Sequence, residues 1–501
     1  MNNPLNFFGL DFEKLKSLFL YHSSEPMLFN SGLFLFLFFS FLIVYTALKK
    51  RFTARLLFVI LFSYFFYYKS SGLYFLLLAV VTVCDFFLAK QIARAKTQFL
   101  RKTLVTISIC IGLGILAYFK YFNFFGTTLS SIIGGNFQPE DIFLPVGISF
   151  FTFQSLSYTI DVYRGTIKPL EKMLDYAFFV SFFPQLVAGP IVRARDFIPQ
   201  IRQPMKVTNE MISAGIYLII CGLFKKAIIS DYIGINFVDR IFDNPALYSG
   251  VENLLGIYGY GLQIYCDFSG YSDMAIGIAL LLGFRYMMNF DSPYKSANIT
   301  EFWRRWHISL SSWLRDYLYI SLGGNRKGKA RTYVNLIITM LLGGLWHGAN
   351  WNFIIWGGLH GMGLAVHKFF MSATHQAKNT VSNTHTFNHW IRVFFTFHFV
   401  MFAWIFFRNP SLANCATILS QIFGNMQFHI IGQVLMGYKP VFLLIFAGYL
   451  LHFLPVRIEN YFKEKFLNLP LFFKAVAMIV LIYFIVQIKS SDVQPFIYFR
   501  F

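Results

Sequence analysis

Apolar runs of spanning or near-spanning length recur along the whole chain, separated by short polar or basic connections. Clear examples occupy residues 32–48, 73–89, 105–119 and 472–488. Because a helix needs about 20 apolar residues to cross a bilayer, these runs predict roughly eleven transmembrane or half-spanning helices. Several runs are too short or too rich in glycine to be simple spans. The pattern therefore predicts an all-α polytopic integral membrane protein.

The composition agrees with this pattern and excludes a water-soluble protein. Of 501 residues, 56% are hydrophobic, 13% are charged and 64 are phenylalanine. One soluble core could not bury so much apolar surface. No linker rich in Pro, Gly or Ser divides the chain. We expect one integral domain over 1–501, with a peripheral amphipathic segment at 1–30 and a polar loop at 372–389.

The basic residues follow the connections between apolar runs. The formal net charge is +20, from 43 basic and 23 acidic residues, which could suggest a nucleic-acid partner. However, the connections at 49–55 and 90–102 are basic, whereas the one at 69–73 carries a single charge. Because basic loops stay in the cytoplasm, this alternation predicts an N-terminus outside. The positive charge is therefore explained by orientation in the membrane. We expect the protein to contact the lipid bilayer and not to bind nucleic acid.

Cysteine and histidine spacing gives no sign of a metal site. The five cysteines stand singly in apolar segments with no C-x-x-C pair, so we expect them to fill the core. The i,i+4 pair His385 and His389 lies beside His375 in the polar loop and is expected to be solvated. A metal-dependent membrane oxidase or hydroxylase needs several clustered histidines, so the pattern disfavours that class.

Polar residues inside a membrane domain are costly and mark candidate functional positions. The run 144–165 carries Gln154 and Asp161 with several hydroxyl residues. Such a helix could line a water-filled path, or its hydroxyls could bond the backbone and a neighbouring helix. Asp267 and Asp273 precede an apolar run. They could act in the chemistry, although structural ion pairs with basic groups in the bundle explain them more simply.

The stretch 301–331 predicts an amphipathic helix followed by a Gly-rich basic loop. One helical face collects apolar residues and a histidine, namely Trp303, Trp306, His307, Leu310, Trp313, Leu314 and Tyr317. The opposite face carries Arg305, Ser309, Ser312 and Asp316. Tryptophans with flanking arginines are typical of a helix at the membrane interface. His307 could be a hydrogen-bonded core residue or a catalytic one.

A second histidine, His347, stands in "GGLWHGANW" at 343–351. It follows Arg331 by sixteen residues. On a helix that is roughly 24 Å of a hydrocarbon layer about 30 Å thick, so His347 should lie deep. Its three flanking glycines would permit a helix break and close approach of another molecule to the ring. The ring could serve as a general base or be structural. The partial echo "GGLHG" at 357–361 is attributed to chance.

These motifs together resemble those of the membrane-bound O-acyltransferases. The strings that carry the resemblance are "WRRWHISLSSWLRDYLYISLGGNRKG", "NLIITMLLGGLWHGANWNFIIWGGLHG", "FFPQLVAGPIVRARDF", "YCDFSGYSDMAIGIALLLGF" and the C-terminal "PFIYFRF". They cover most of the chain from residue 140 onward, with a signature core at 140–370. The resemblance is to the bacterial branch that exports acetyl groups for O-acetylation of alginate and other polysaccharides.

The resemblance implies acyl transfer from a thioester. His347 matches the histidine regarded as catalytic in the family, which would take the proton of an incoming hydroxyl. His307 matches a second polar position, often Asn or Asp in relatives, and would pair with His347 or position the donor. Family members have a funnel that meets a narrow tunnel at the catalytic histidine. We expect this tunnel to be lined by Gln154, Asp161, Asp267, Asp273, Trp306, Trp346 and Asn350.

The family also implies a donor and partners. Acetyl-CoA is expected as a cytoplasmic substrate, with no permanently bound cofactor and no metal. Its phosphates would meet a cationic mouth, unless these cations only set topology: Arg326, Lys327, Lys329 and Arg331. The final acceptor would be an exported or cell-surface polysaccharide outside the bacterial inner membrane. Because the chain carries no G-x-S-x-G signature, a separate extracytoplasmic serine-dependent acetyltransferase would receive the acetyl group.

Two other functions fit part of the sequence. The D-alanyl exporter of teichoic acid synthesis shares the "WHISLS" feature, but the "LGGNRKG" extension favours polysaccharide acetylation. A secondary transporter would also have polar, Gly-broken helices. Its two inverted halves should carry matching polar clusters, whereas here the polar clusters concentrate between 144 and 367.

Overall fold

The structure is a computed structural model that describes residues 12–22, 26–374, 387–488 and 496–497. Within these ranges the secondary structure consists of α-helices with short 3-10 and π-helical turns, and there is no strand. The predicted all-α class is confirmed.

The helices follow the apolar runs closely in the first part of the chain. They are α1 (Phe12–Phe19), α2 (Gly32–Ala47), α3 (Phe52–Ser71), α4 (Phe75–Arg94), α5 (Gln98–Leu116) and α6 (Phe122–Ile133). A π-helical turn, Ala117–Tyr121, joins α5 to α6.

The middle of the chain contains shorter helices around one long one. They are α7 (Ile148–Arg164), α8 (Met173–Ser181), α9 (Phe183–Leu186), α10 (Ala194–Ile201), α11 (Asn209–Leu223), α12 (Asp231–Ile233), α13 (Asp239–Asp243), α14 (Gly250–Leu281), α15 (Ile299–Arg305) and α16 (Ile308–Trp313). The 32-residue α14 begins at a capping box in which Ser249 and Glu252 satisfy each other's backbone N–H groups. Its central residues are buried in the bundle.

The last part of the chain returns to long apolar helices. They are α17 (Lys329–His347), α18 (Trp351–Ala373), α19 (Phe387–Arg408), α20 (Leu412–Gly424), α21 (Ile431–Gly437), α22 (Lys439–Phe453), α23 (Val456–Leu467) and α24 (Leu471–Ile488). In the described ranges, five helical stretches are long and apolar enough to cross a membrane. Seven qualify if two bent pairs, with bends of 94° and 112°, each form one span. The chain is therefore polytopic.

Side-chain contacts gather the basic connections on one side of the bundle, which we call the basic side. Arg101 Nη2, at the start of α5, donates to Tyr163 O at 2.7 Å, near the end of α7. Arg164 Nη1 donates to Asp316 O at 3.0 Å, just before the basic loop that leads into α17. Basic loops far apart in sequence thus lie together, as the positive-inside pattern requires. The direction of this side, cytoplasmic or external, stays a prediction.

The opposite side of the bundle holds the far end of α17. Ser71 Oγ accepts from Val146 N at 3.0 Å, which brings the end of α3 next to the start of α7. Lys120 Nζ donates to His347 O at 3.1 Å. Because α17 starts at Lys329 on the basic side and runs for 19 residues, His347 lies far from the basic loop, as expected.

The predicted amphipathic helix over 301–317 is wrong in two respects. It is broken at His307, whose φ is +44°, so α15 and α16 are separate helices. Its tryptophans do not lie at the protein surface; Trp306 is 1% exposed and packs inside the bundle. The same periodicity describes a helix at an interface and one surrounded by other helices. The apolar face named from the sequence is nevertheless buried, and Ser309 of the opposite face is buried as well.

Some expectations fall partly or wholly outside the described residues. His375 and His385 lie outside them, and His389 stands in α19, so its assignment to a loop is wrong. Of the predicted segment 1–30, residues 12–22 and 26–30 are described, and of the C-terminal string at 495–501 only 496–497. Cys266 and Cys415 are buried, but Cys110 is exposed, which contradicts its assignment as core filler.

Candidate active site

His347 is the last residue of α17, and its ring is enclosed by aromatic side chains. The ring is 4% exposed. Its centroid lies 5.0 Å from Trp346, 5.1 Å from Trp356 and 5.1 Å from Phe407. The helix break predicted at this point is present, since Gly348 has an extended backbone with φ −164°. The break places an imidazole at a helix end, deep in an aromatic environment.

The glycines beside His347 serve a helix crossing. A Cβ on Gly344 would lie 2.1 Å from the carbonyl oxygen of Phe353, and one on Gly348 would lie 2.1 Å from the Phe353 ring. On α18, a Cβ on Gly357 would lie 2.3 Å from Met340 O. The expectation that these glycines admit another molecule is therefore wrong for Gly344 and Gly348, because α18 fills the space. The two Gly-Gly motifs that were attributed to chance meet at this crossing.

His307 is held in the break between α15 and α16. Its Nδ1 accepts a hydrogen bond from Leu310 N–H at 3.1 Å and so caps α16. A neutral imidazole that accepts at Nδ1 carries its proton at Nε2. The ring is fully buried, 4.5 Å from Phe268 and 6.1 Å from Trp346 between centroids. His307 is thus prepared to donate a hydrogen bond from Nε2.

A third buried imidazole, His360 on α18, completes what we call the histidine cluster: His307, His347 and His360 with Trp346 and Trp356. Trp303 Nε1 donates to His360 Nδ1 at 3.2 Å. The centroid of His360 lies 4.8 Å from that of Trp356, which also contacts His347. His360 is not predicted from the sequence, because two short matching motifs do not by themselves establish a repeat. Its position, thirteen residues after His347, was the available signal.

Four N–H groups of the histidine cluster have no hydrogen-bond partner among the described residues. They are His307 Nε2, His360 Nε2, Trp346 Nε1 and Trp356 Nε1, each nearly or fully buried. Buried polar groups are normally satisfied by protein or by water, so donors gathered in one place are available to the oxygen atoms of a ligand or of water. An acyl donor or an acceptor hydroxyl has such oxygen atoms.

A row of aromatic rings connects the histidine cluster to the basic side. This aromatic row consists of Trp346, Phe153, Trp313 and Tyr317. The centroid separations along it are 5.5 Å, 3.8 Å and 5.1 Å, and Phe153 and Trp313 are stacked at 12°. Trp313 Nε1 also donates to Phe153 O at 2.9 Å, which fixes α16 against α7. The row links the site to the basic loops through packed, buried aromatic rings.

Arginines gather where the aromatic row ends. The arginine cluster consists of Arg164, Arg193, Arg195 and Arg315 around Asp316. Arg193 and Arg315 reach the Asp316 carboxylate at 2.5 and 2.6 Å. Burial opposes ionisation of Asp316, but the hydrogen bonds and charges of these two arginines outweigh burial and hold its pKa below the ordinary value. Asp161 and Asp196 also interact with these arginines, so four cations against three carboxylates leave a net positive charge beside Tyr317, whose ring faces Arg164 at 5.3 Å.

Comparison with known proteins identifies the family of the chain. The family model for the membrane-bound O-acyltransferase family matches residues 167–409, a range that includes the whole histidine cluster. The chain is 37% identical over 502 residues to a probable alginate O-acetylase, AlgI, of Pseudomonas putida, covering 95% of this chain and all of the relative. The chain belongs to the membrane-bound O-acyltransferase family. It is an O-acyltransferase and a multi-pass membrane protein.

Two further relatives of this acyltransferase differ in acceptor. A peptidoglycan O-acetyltransferase of Helicobacter pylori is 36% identical over 428 residues, 79% of this chain and 80% of the relative. A teichoic acid D-alanyltransferase of Bacillus subtilis is 30% identical over 285 residues, 54% of this chain and 70% of the relative. The similarity to the D-alanyl branch is therefore lower and covers a smaller part of the chain.

Both acidic residues of α14 that were expected along the tunnel form ion pairs. Lys226 lies 2.6 Å from Asp267, and Lys225 lies 2.7 Å from Asp273. Asp267 also accepts from the backbone N–H of Ile497 at 3.0 Å, which fixes the C-terminal segment beside α14. The expectation of structural ion pairs is confirmed. A role of these acids in lining a tunnel stays a prediction.

The other residues expected along a tunnel divide into two groups. Trp346 belongs to the histidine cluster, and Trp306 directly precedes His307 and packs 5.0 Å from Trp404. Gln154 donates to Phe179 O at 2.6 Å, Asp161 accepts from the Tyr317 hydroxyl at 2.8 Å, and Asn350 caps the N-terminus of α18. Gln154, Asp161 and Asn350 are therefore satisfied by the fold. Of the α7 hydroxyls, Ser157 donates to Gln154 O, whereas Thr152 Oγ1 has no partner among the described residues.

The basic loop is exposed on the basic side of the enzyme. All four of its predicted donor-binding cations are exposed, and in the described residues none forms an ion pair within 4 Å: Arg326, Lys327, Lys329 and Arg331. Their role as a cationic mouth stays a prediction. Within the described ranges, no group of three or more His, Cys, Asp or Glu side chains could hold a metal ion.

Proposed function

We propose that this O-acyltransferase takes an acetyl group from cytoplasmic acetyl-CoA and passes it across the membrane for O-acetylation of an exported or cell-surface polysaccharide. The observation that carries the proposal is the placement of His347, which ends α17 among unsatisfied N–H groups, far from the basic side. Relatives named for alginate and peptidoglycan O-acetylation support a polysaccharide as the final acceptor.

In the proposed mechanism, His347 and His307 have different tasks. His347 takes the proton of the acceptor hydroxyl as its oxygen attacks the thioester carbonyl. The Nε2–H of His307 donates to the carbonyl oxygen, where negative charge develops. The carbon–sulfur bond then breaks, the thiolate leaves, and the proton on His347 is available to it. The capping bond at His307 Nδ1 supports this division, because it leaves Nε2 as the donor.

The donor approaches from the basic side in this proposal. The arginine cluster and the basic loop supply cations for the phosphates of acetyl-CoA, and the aromatic row offers an apolar surface for its pantetheine arm. Because the chain carries no serine-hydrolase signature, an extracytoplasmic serine-dependent acetyltransferase receives the acetyl group and delivers it to the polymer.

The proposed binding site of the donor is tested by measuring the apparent KM for acetyl-CoA in inverted membrane vesicles. Arg195 and Arg315 are 43% and 64% exposed, so changing both to Gln should spare the fold. We expect this double variant to raise KM about tenfold with a smaller effect on kcat, because loss of a charged contact made before the transition state weakens binding. The quadruple Gln variant of the basic loop should also raise KM.

Lys49→Gln with Lys50→Gln is the matched control, since both lysines are exposed on the basic side but outside the arginine cluster. Its KM should stay within twofold of wild type. An unchanged KM in the arginine double variant would contradict binding of acetyl-CoA at the arginine cluster. An unchanged KM in the quadruple variant would leave the loop with a role in topology alone.

A D-alanyl exporter is the second candidate. The teichoic acid relative and the shared "WHISLS" string favour it. A D-alanyl exporter would not consume acetyl-CoA, so labelled acetyl-CoA distinguishes the two functions directly.

A further inference from the structure

The end of α17 is fastened by side chains from outside the histidine cluster. Lys120 Nζ donates to Trp346 O at 2.5 Å and to His347 O at 3.1 Å. The Tyr121 hydroxyl donates to Leu345 O at 2.9 Å. Three consecutive carbonyls at the end of the helix therefore receive hydrogen bonds from one short segment, more than 220 residues earlier in the chain.

These contacts replace the usual ending of a helix. The last four carbonyls of an α-helix have no partner inside the helix and must be capped. Many helices end at a left-handed glycine that turns the next N–H groups back onto these carbonyls. Here Gly348 is extended, with φ −164°, and makes no such turn. The backbone at His347 is held instead by Lys120 and Tyr121.

The local backbone of Lys120 is built for this contact. Lys120 and Tyr121 lie in the π-helical turn Ala117–Tyr121, between α5 and α6. A π-bulge adds a residue to a helix, which changes the direction of the side chains within it, and such bulges are frequent at functional sites. In this turn, both polar side chains reach the same neighbouring helix. A regular helix would separate the directions of consecutive residues by about 100°.

The contact also has a cost that needs an explanation. An ionisable residue inside a membrane domain is expensive and is usually paired with an opposite charge. In the described ranges Lys120 forms no ion pair within 4 Å of an acidic side chain. Its other neighbour is the ring of Trp346, at 5.8 Å. All of these contacts of the Lys120 amino group are thus with Trp346 and His347.

We propose that Lys120 is a positioning residue for acyl transfer, which acts by fixing the backbone of Trp346 and His347 and thereby the direction of the His347 ring. Tyr121 supports the same turn with a single hydrogen bond. The inference rests on the proposed role of His347. Its consequence is that loss of Lys120 slows the chemical step and leaves donor binding at the basic side unchanged.

The test compares Lys120→Met, Lys120→Arg and Tyr121→Phe in vesicles, at matched levels of membrane protein. Lys120→Met keeps an apolar side chain of similar length but removes the donors. We expect its kcat to fall at least tenfold while the KM for acetyl-CoA stays within twofold, because a misdirected base affects the chemistry alone. Lys120→Arg, which retains donors, should recover most of the lost kcat. Tyr121→Phe should lower kcat about threefold.

Lys90→Met is the matched control. Lys90 also donates from a helix to a carbonyl, that of Glu171 at 2.8 Å, but on the basic side, opposite to the end of α17 that carries His347. Its kcat should stay within twofold of wild type. Wild-type kcat in Lys120→Met, or an equal loss in Lys90→Met, would overturn the proposal. If the Lys120→Met protein does not accumulate in the membrane, the Tyr121→Phe variant tests the proposal instead. An unchanged kcat in Tyr121→Phe would then overturn the positioning role.

A His347→Gln variant in the same assay separates the two proposals. If His347→Gln remains active, the catalytic assignment fails, and the positioning role fails with it. If His347→Gln is inactive while Lys120→Met and Tyr121→Phe have wild-type kcat, only the positioning role fails.

Discussion

At the residue scale, the packing of His347 determines which substitution can report on its chemistry. The ring contacts three aromatic side chains and is 4% exposed. Truncation to Ala would therefore leave a cavity, and such cavities destabilise by about 2–5 kcal/mol. A substitution of similar size, such as Gln, separates the loss of the imidazole from the loss of packing. The sequence suggested the opposite, because its glycines implied an open space beside the ring.

The two catalytic candidates were predictable from the sequence, but their surroundings were not. His307 and His347 were selected by motif, and the structure brings both to one side chain, Trp346. The left-handed conformation of His307 could not be predicted, since helical periodicity continues across the break. Lys120 was missed because a lysine beside an apolar run normally reads as a charge at the membrane surface. Its partners are carbonyl groups, which leave no trace in a sequence.

At the scale of elements, the crossing of α17 and α18 fixes where His347 stands. Gly344→Ala should destabilise the protein by about 1–3 kcal/mol, because the new Cβ would lie 2.1 Å from Phe353 O and force the helices apart. Gly358→Ala is the matched control on the same crossing, since its Cβ would meet only Leu341 Cδ2 at 3.5 Å. That variant should be neutral or slightly stabilising, as Ala favours helix over Gly.

This prediction is checked by thermal unfolding of the two variants in detergent. Unfolding is monitored with a spectroscopic probe of aromatic packing. Equal unfolding temperatures for Gly344→Ala and Gly358→Ala would contradict the close crossing.

The helices themselves were predicted well where apolar runs are long and uniform. The runs at 32–48, 73–89 and 472–488 match α2, α4 and α24 within a few residues. The stretch around His307 was predicted less well, because a buried helix and an interfacial one share the same amphipathic pattern. Contacts between distant helices decide that question, and a single sequence does not contain them.

At the scale of the whole molecule, the basic side defines how the enzyme is oriented. Reporter fusions after Lys102 and within 325–331 should both report the cytoplasm, because both positions belong to the basic side. A fusion near Ser71 should report the outside, since this residue lies on the opposite side with His347. A cytoplasmic signal at Ser71 would reverse the orientation and the side from which the donor enters.

The central claim is that His347 is the general base of acyl transfer. The most direct measurement is the acetyl content of the exported polysaccharide in a deletion strain complemented with His347→Gln or His360→Gln, at matched membrane levels. His360→Gln is the control for loss of a buried imidazole, because the ring of His360 is also buried against Trp356. We expect His347→Gln to lower acetylation about a hundredfold or more, and His360→Gln to lower it less than tenfold. Wild-type acetylation with His347→Gln would contradict the account.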